Sequence, residues 1–274
     1  MIPKVGFKSQ RDPQLKEVTS VEETVMNEKN YIIEIATSDF LTTKSAIDGG
    51  ADRIELCANL EEGGVTPSYG HIKKCRDAFA TPLYPIIRPR GGDFLFSAEE
   101  FEIMMYDAKL CKQLGCDGVV IGLLHANGSI DIKRTSLLVE AVYPLGVTFH
   151  RAFDRCRDPF EAMELLIEIG CERILTSGQK QHANDGAELI AQLNDTANGR
   201  IIIMPGSGVR KENVKMLAEQ TGCLEFHSSL RSKINSNMEF VHSAFSGSGE
   251  SYMNNAIDVN EVRTFRNALF ENPR

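Results

Sequence analysis

The chain has no apolar run near the roughly 20 residues that a membrane-crossing helix needs, so no bilayer span is expected. Its first residues, MIPKVGFKSQRDPQLKE, contain no apolar core of the kind a secretory signal uses. An excess of cations is missing too. Lys and Arg number 30 against 38 Asp and Glu, a formal charge of −8, which argues against nucleic acid and against anionic membrane surfaces as partners. The seven cysteines, at 57, 75, 111, 116, 156, 171 and 223, form no Cys-x-x-Cys pair and no close cluster with histidine. That scatter excludes a conventional zinc finger and fits a reducing compartment, the cytoplasm or the nucleus. No segment repeats another in sequence.

What the chain does have is a rhythm. Its 274 residues would make two average domains or one α/β barrel of about 250. Residues 1–30 are polar and without an apolar period, and are expected to form a mobile arm before a barrel domain over 31–274. From Tyr31 onward, apolar runs alternate with helical patterns. Strands are expected over Tyr31–Ser38, Arg53–Leu60, Pro82–Arg90, Gly118–Leu124, Gly146–Asp154, Arg173–Gly178, Arg200–Gly208 and Leu224–Arg231. Helices are expected over Leu41–Gly49, Ser68–Phe79, Ser97–Leu114, Lys133–Tyr143, Pro159–Ile169, Ala183–Thr196, Lys211–Gln220 and Asn260–Glu271. Continuous β-branched runs such as Ile201-Ile-Ile203 suit a sheet covered on both faces. Eight strand–helix units predict a single (β/α)8 TIM barrel. Ser97-Ala-Glu-Glu100 reads as a capping box, Ser68 as a helix cap, and Gly49-Gly50, Gly115, Gly170 and Gly222 as helix exits. The 232–259 stretch breaks the rhythm and reads as an irregular functional loop after strand 8.

Polar residues collect at the ends of these strands, on the face where barrel sites are built. They are Glu34, Glu55 with Cys57, Arg88 with Arg90, His150, Arg151 and Asp154, and His227 with Ser228. Alternation along a strand puts Glu55 and Cys57 on one side and Ile54 and Leu56 on the other. Arg88 facing Glu55 or Glu34 would keep a carboxylate ionised. Thr176-Ser-Gly178 and Gly206-Ser-Gly208, closing strands 6 and 7, are candidates for a phosphate cup, although tight turns need glycine anyway. Each candidate also has a structural reading. The Glu/Arg pairs can be interior salt bridges, His150 a satisfied core histidine and Cys57 an apolar filler. Met104, Met105, Met163, Cys111, Cys116 and Cys171 read as packing.

Taken together, Glu34, the Gly49-to-Cys57 run, Glu62-Gly-Gly-Val-Thr-Pro67, Arg88-Pro-Arg-Gly-Gly-Asp-Phe94, Val147-to-Asp154, Leu175-to-Gly178, Met204-to-Gly208 and Glu225-Phe-His227 closely resemble the CutC family of copper homeostasis proteins. The likeness runs from about residue 31 to the C-terminus, and eukaryotic members are expected to be the most similar. It implies a (β/α)8 barrel, cytosolic copper handling, copper(I) bound through cysteine and homo-oligomers. Cys57 is then the expected metal ligand. In copper-binding relatives a second cysteine stands where this chain has Ala36, so copper(I) is expected to bind weakly or transiently here. The alternative is a barrel enzyme acting on an anionic small molecule through Glu34, Glu55, Arg88, His150, Asp154 and His227.

Overall fold

The computed structural model describes residues 30–245 and 252–270. The expected polar arm, except Asn30, and the Ser-Gly run at 246–250 lie outside the described residues.

Eight parallel strands, each followed by a helix, carry the described chain. The strands are β1 (Ile32–Thr37), β2 (Arg53–Leu56), β3 (Leu83–Pro85), β4 (Gly118–Ile121), β5 (Gly146–Phe149), β6 (Arg173–Thr176), β7 (Ile202–Pro205) and β8 (Glu225–Ser228). The helices are α1 (Phe40–Asp48), α2 (Tyr69–Ala78), α3 (Ala98–Gln113), α4 (Ile132–Val142), α5 (Pro159–Glu168), α6 (Ala187–Ala197), α7 (Val214–Thr221) and α8 (Val259–Phe270). Hydrogen bonding runs β3-β2-β1-β8 in one ladder and β4-β5-β6-β7 in the other. A parallel bridge between Ile86 and Val120 joins β3 to β4, and β7 lies against β8. The two arcs close into the predicted (β/α)8 barrel.

Alternation explains what each face buries. Ile33 and Ile35 of β1 and Ile54 and Leu56 of β2 point outward into the main apolar layer, where they meet residues such as Ile72, Val262 and Phe265. Glu34, Ala36 and Glu55 point the other way, into the barrel. A second, small apolar cluster of Cys57, Tyr84, Ile86 and Val120 lies inside the barrel, so its centre is only partly hydrocarbon. Of the residues read as packing, Met104, Met163, Cys111, Cys116 and Cys171 are buried as expected, and Met105 is half-buried against the same apolar layer.

The caps form as read. Ser97 and Glu100 complete a capping box on α3, and Ser68 Oγ accepts from the His71 amide at 3.2 Å. Two expectations change. The strand expected over 82–90 is regular only over Leu83–Pro85. Ile86 and Ile87 still donate to the carbonyls of Leu56 and Val120, and the pairing stops before Pro89, which offers no amide to a ladder. The stretch expected to be irregular is in part an antiparallel ribbon, β9 (Arg231–Asn235) paired with β10 (Met253–Ile257). All of β9 is exposed, so no apolar face imposes the alternation that marks a strand in sequence.

Candidate active site

A charged column runs up the barrel axis. At its base, Arg53 at the start of β2 bonds Glu34 through Nε at 2.5 Å and Glu225 through a terminal nitrogen at 2.6 Å. Arg173, at the start of β6, reaches the same Glu225 oxygen at 2.6 Å and Thr148 Oγ1 at 3.1 Å. Both guanidinium groups lie over the Tyr84 ring, 5.4 and 5.6 Å from its centre. Buried charges need partners, and here each meets at least one of opposite sign. None of Arg53, Arg173 and Glu225 was expected as a site residue. Charge at the first position of a strand reads as solvent-exposed entry until the barrel closes around it.

One layer higher, Glu34 accepts from His227 Nδ1 at 2.7 Å, and His227 Nε2 stands 3.7 Å from a Glu55 oxygen. The parallel register sets this line, since it places Glu34 beside His227 across β1 and β8. Burial alone would raise the Glu34 carboxyl, but Arg53 and the hydrogen bond from His227 outweigh it and hold it well below the usual range. Glu55 goes the other way. Burial pushes it up to about 7, the charge of Glu34 adds to that, and His227 offsets only part. Burial would lower the His227 pKa, yet its bond to Glu34 and the charge of Glu55 raise it. Arg88 contacts neither carboxylate, contrary to expectation. Its terminal nitrogens donate to the carbonyls of Glu62, Gly64 and Gly92, each at 2.9 Å, because the chain past Pro85 curls around it.

A cavity of about 730 Å³ opens above this layer, and Glu55, Arg88, His150, Asp154 and His227 line it. Glu34 sits beneath, reached through His227. The rim adds Arg151, already a candidate in the sequence, and Arg155, Lys180, Arg210 and Arg231, which no motif had singled out. Among the described residues Arg88, Arg155, Lys180, Arg210 and Arg231 have no carboxylate within ion-pair distance, which concentrates positive potential here in a chain of net negative charge. His150 packs against Phe94 with ring centres 4.9 Å apart, and a Cβ on Gly122 would stand 2.2 Å from the imidazole, so only glycine fits there.

The Thr176-Ser-Gly178 half of the expected phosphate cup is engaged from within the chain. Asp154 Oδ1 accepts from Thr176 Oγ1 at 2.5 Å, the Ser177 amide at 2.9 Å and the Gln179 amide at 3.2 Å. The Gly178 amide donates to Thr176 Oγ1 and that of Gly206 to the Thr176 carbonyl. An internal carboxylate thus occupies the turn after β6. Asp154, expected as a mouth carboxylate, is first a clamp, because the one-turn helix Phe153–Arg155 carries it under that loop. Of the expected cup, Gly208 lines the cavity, next to Ser207, whose φ of 79° lies in the left-handed region.

The residues present fit a resident copper ion poorly. Cys57 is fully buried on the inner face of β2, and a Cβ on Gly64 would stand 3.1 Å from its Sγ. Burial, and next the charge of Glu55, push its thiol well above the ordinary value, whereas a metal needs the thiolate. Ala36 offers no donor, and Met204 Sδ is engaged by Arg53 at 3.3 Å. Among the described residues no group of three or more His, Cys, Asp or Glu is arranged to hold a metal. No helix among them is long and apolar enough to cross a membrane.

Fold and site together define a (β/α)8-barrel protein with a charged, ligand-sized cavity at the C-terminal mouth of its strands. The CutC family profile matches residues 31–232. A family protein CutC of Chromobacterium violaceum is 47% identical over 242 residues, covering 87% of this chain and 98% of the relative. One from Bacteroides fragilis is 47% identical over 240 residues, covering 86% and 96%. The chain belongs to the CutC family. These relatives are bacterial and lend no support to a closer likeness with eukaryotic members. A crystal structure described, provisionally, as the copper homeostasis protein CutC of Streptococcus agalactiae superposes with a TM-score of 0.69 at 34% identity, over 72% of this chain and 97% of that one. Phosphoribosylanthranilate isomerase of Thermotoga maritima matches with a TM-score of 0.54 at 13% identity, over 88% and 98%, a likeness of fold alone.

Proposed function

We propose that the chain is an enzyme performing acid–base chemistry on an anionic small molecule held at the barrel mouth. The observation that carries this is the buried line Glu34–His227–Glu55, open to the cavity at its Glu55 end. Arg53 keeps Glu34 ionised, and Glu34 fixes the His227 ring through Nδ1. A carboxylate–imidazole pair of this kind orients a proton-carrying ring and favours its charged form. Glu55, at about 7, populates both protonation states near neutral pH, the condition under which a carboxyl group can take a proton and return it. A purely structural ion pair would hold Glu55 low. Cations without carboxylate partners around the cavity supply the attraction for an anion.

The test is to incubate wild type and Glu55→Gln with the small-molecule fraction of a cell extract and profile it by mass spectrometry. Wild type is expected to consume at least one anionic metabolite that Glu55→Gln leaves intact. Identical profiles contradict the proposal.

Copper(I) binding is the second reading, with the cytoplasm as its compartment. Cys57 favours it, standing on the inner face of β2 that also carries Glu55. One protonated thiol with no second soft ligand predicts weak binding. Under reducing conditions and against a competing chelator, Cys57→Ser should weaken copper(I) binding and Ala36→Cys should strengthen it. Unchanged affinity in Cys57→Ser contradicts this reading.

A further inference from the structure

Among the described residues, two side chains that line the cavity each carry a buried donor without a partner. Arg88 Nε and His150 Nε2 are buried nitrogens without a hydrogen bond, on side chains exposed by only 4% and 5%. Buried donors are nearly always paired, so two orphans lining one cavity call for an explanation. The rest of each side chain is fixed. Arg88 spends both terminal nitrogens on backbone carbonyls and lies over the Phe94 ring at 5.0 Å. His150 Nδ1 accepts from the Ala152 amide at 3.1 Å, which leaves the ring proton on Nε2. Phe94 packs against both side chains, and all three residues line the cavity. Burial, with Arg88 adding to it, lowers His150 to about 3, so the ring is a neutral donor at physiological pH.

Hydrogen bonds to three carbonyls leave a guanidinium's charge uncompensated. Arg88 also adjoins the inner face of β2, since Gly64 accepts from it and covers Cys57.

We infer that Arg88 Nε–H and His150 Nε2–H form a seat for the carbonyl oxygen of the substrate, which is an anionic carbonyl compound. This deepens the acid–base reading and rests on it. Glu55 lines the same cavity. Its carboxylate would remove a proton from the carbon beside that carbonyl. The C–H electron pair becomes a C=C bond, the carbonyl π pair moves onto oxygen, and the two donors hold the resulting enolate. Where the deprotonated carbon carries a hydroxyl, that hydroxyl's proton passes to the enolate oxygen and the Glu55 proton returns to the former carbonyl carbon, so the net change is an isomeric carbonyl compound. Return to the original carbon instead leaves the substrate with an exchanged hydrogen. Donors preplaced where charge develops are the largest single contribution in many such reactions. A neutral imidazole suits an oxyanion, because its proton is donated without being lost.

Oxalate, a planar dianion resembling such an enolate, is the probe, with inorganic phosphate as a control for the cationic rim. Nitrogen-15 spectra of the histidine rings, assigned with His150→Gln, report the seat in the intact wild-type chain. Oxalate should shift the His150 Nε2 resonance, and phosphate should not. Arg88→Lys keeps the charge but removes the oriented Nε donor, and His150→Phe removes the other. Each should weaken oxalate binding about tenfold or more. An unmoved His150 resonance with oxalate overturns the inference, as does wild-type affinity in both Arg88→Lys and His150→Phe. Failure of the acid–base reading appears elsewhere, as identical metabolite profiles for wild type and Glu55→Gln.

Discussion

Glu55 shows how one residue's surroundings decide its use. It is as buried as Glu34, yet Glu34 has Arg53 and His227 at bonding distance, while Glu55 has the 3.7 Å approach of His227 and a hydrogen bond with the Cys57 thiol, too little to offset its burial. Its pKa therefore rises from the ordinary carboxylate range to about 7. A raised pKa means that the folded state binds the proton more tightly than the unfolded state. That contribution to stability is complete below about pH 4.5 and is lost as pH rises through 7. Between pH 5 and pH 8.5 the wild type should lose on the order of 3 kcal/mol that Glu55→Gln does not lose, as read by urea unfolding. Parallel pH profiles for the two proteins would place the titration elsewhere. Nothing in the sequence separated these two glutamates, because each simply alternates with apolar neighbours on a strand. What separates them is the partner across the ladder, known only once the register is known.

The elements were legible where local pattern sets them. The helices lie within a few residues of the expected spans, since caps such as Ser97 and Ser68 stand beside apolar periods. Strand 3 and the β9–β10 ribbon were less legible, one cut short by proline and the other without a buried face. The turn after β6 shows a different limit. Its Thr-Ser-Gly sequence suggested an anion cup, and the anion turned out to be a side chain of the chain itself, Asp154, brought in from the β5 loop. Removing that carboxylate would leave the Ser177 and Gln179 amides and two hydroxyls without their acceptor. Asp154→Ala should cost about 2–4 kcal/mol of stability and speed amide exchange at Ser177 and Gln179. Unchanged exchange at those amides would mean that the clamp is not what orders the loop.

At the scale of the molecule, eight strand–helix units foretold a barrel, because that alternation leaves few ways to cover a parallel sheet. The axis was not legible. Arg53, Arg173 and Glu225 start strands that are far apart in sequence, and only closure sets them around one carboxylate. They tie one arc of the barrel to the other, β2 and β8 to β6. Glu225→Gln leaves two buried guanidinium groups facing a neutral amide, and should destabilise the chain by about 3–5 kcal/mol in urea unfolding. Above this lock, the mouth combines unpaired cations, a proton-sharing carboxyl and a fixed imidazole in one cavity. The direct test of that combination is to repeat the metabolite incubation in deuterium oxide and read carbon-bound deuterium by NMR. Wild type should place deuterium on a carbon of an anionic metabolite, and Glu55→Gln should do so at least ~100-fold more slowly. No carbon-bound label with wild type, or the same labelling rate with Glu55→Gln, would contradict the account.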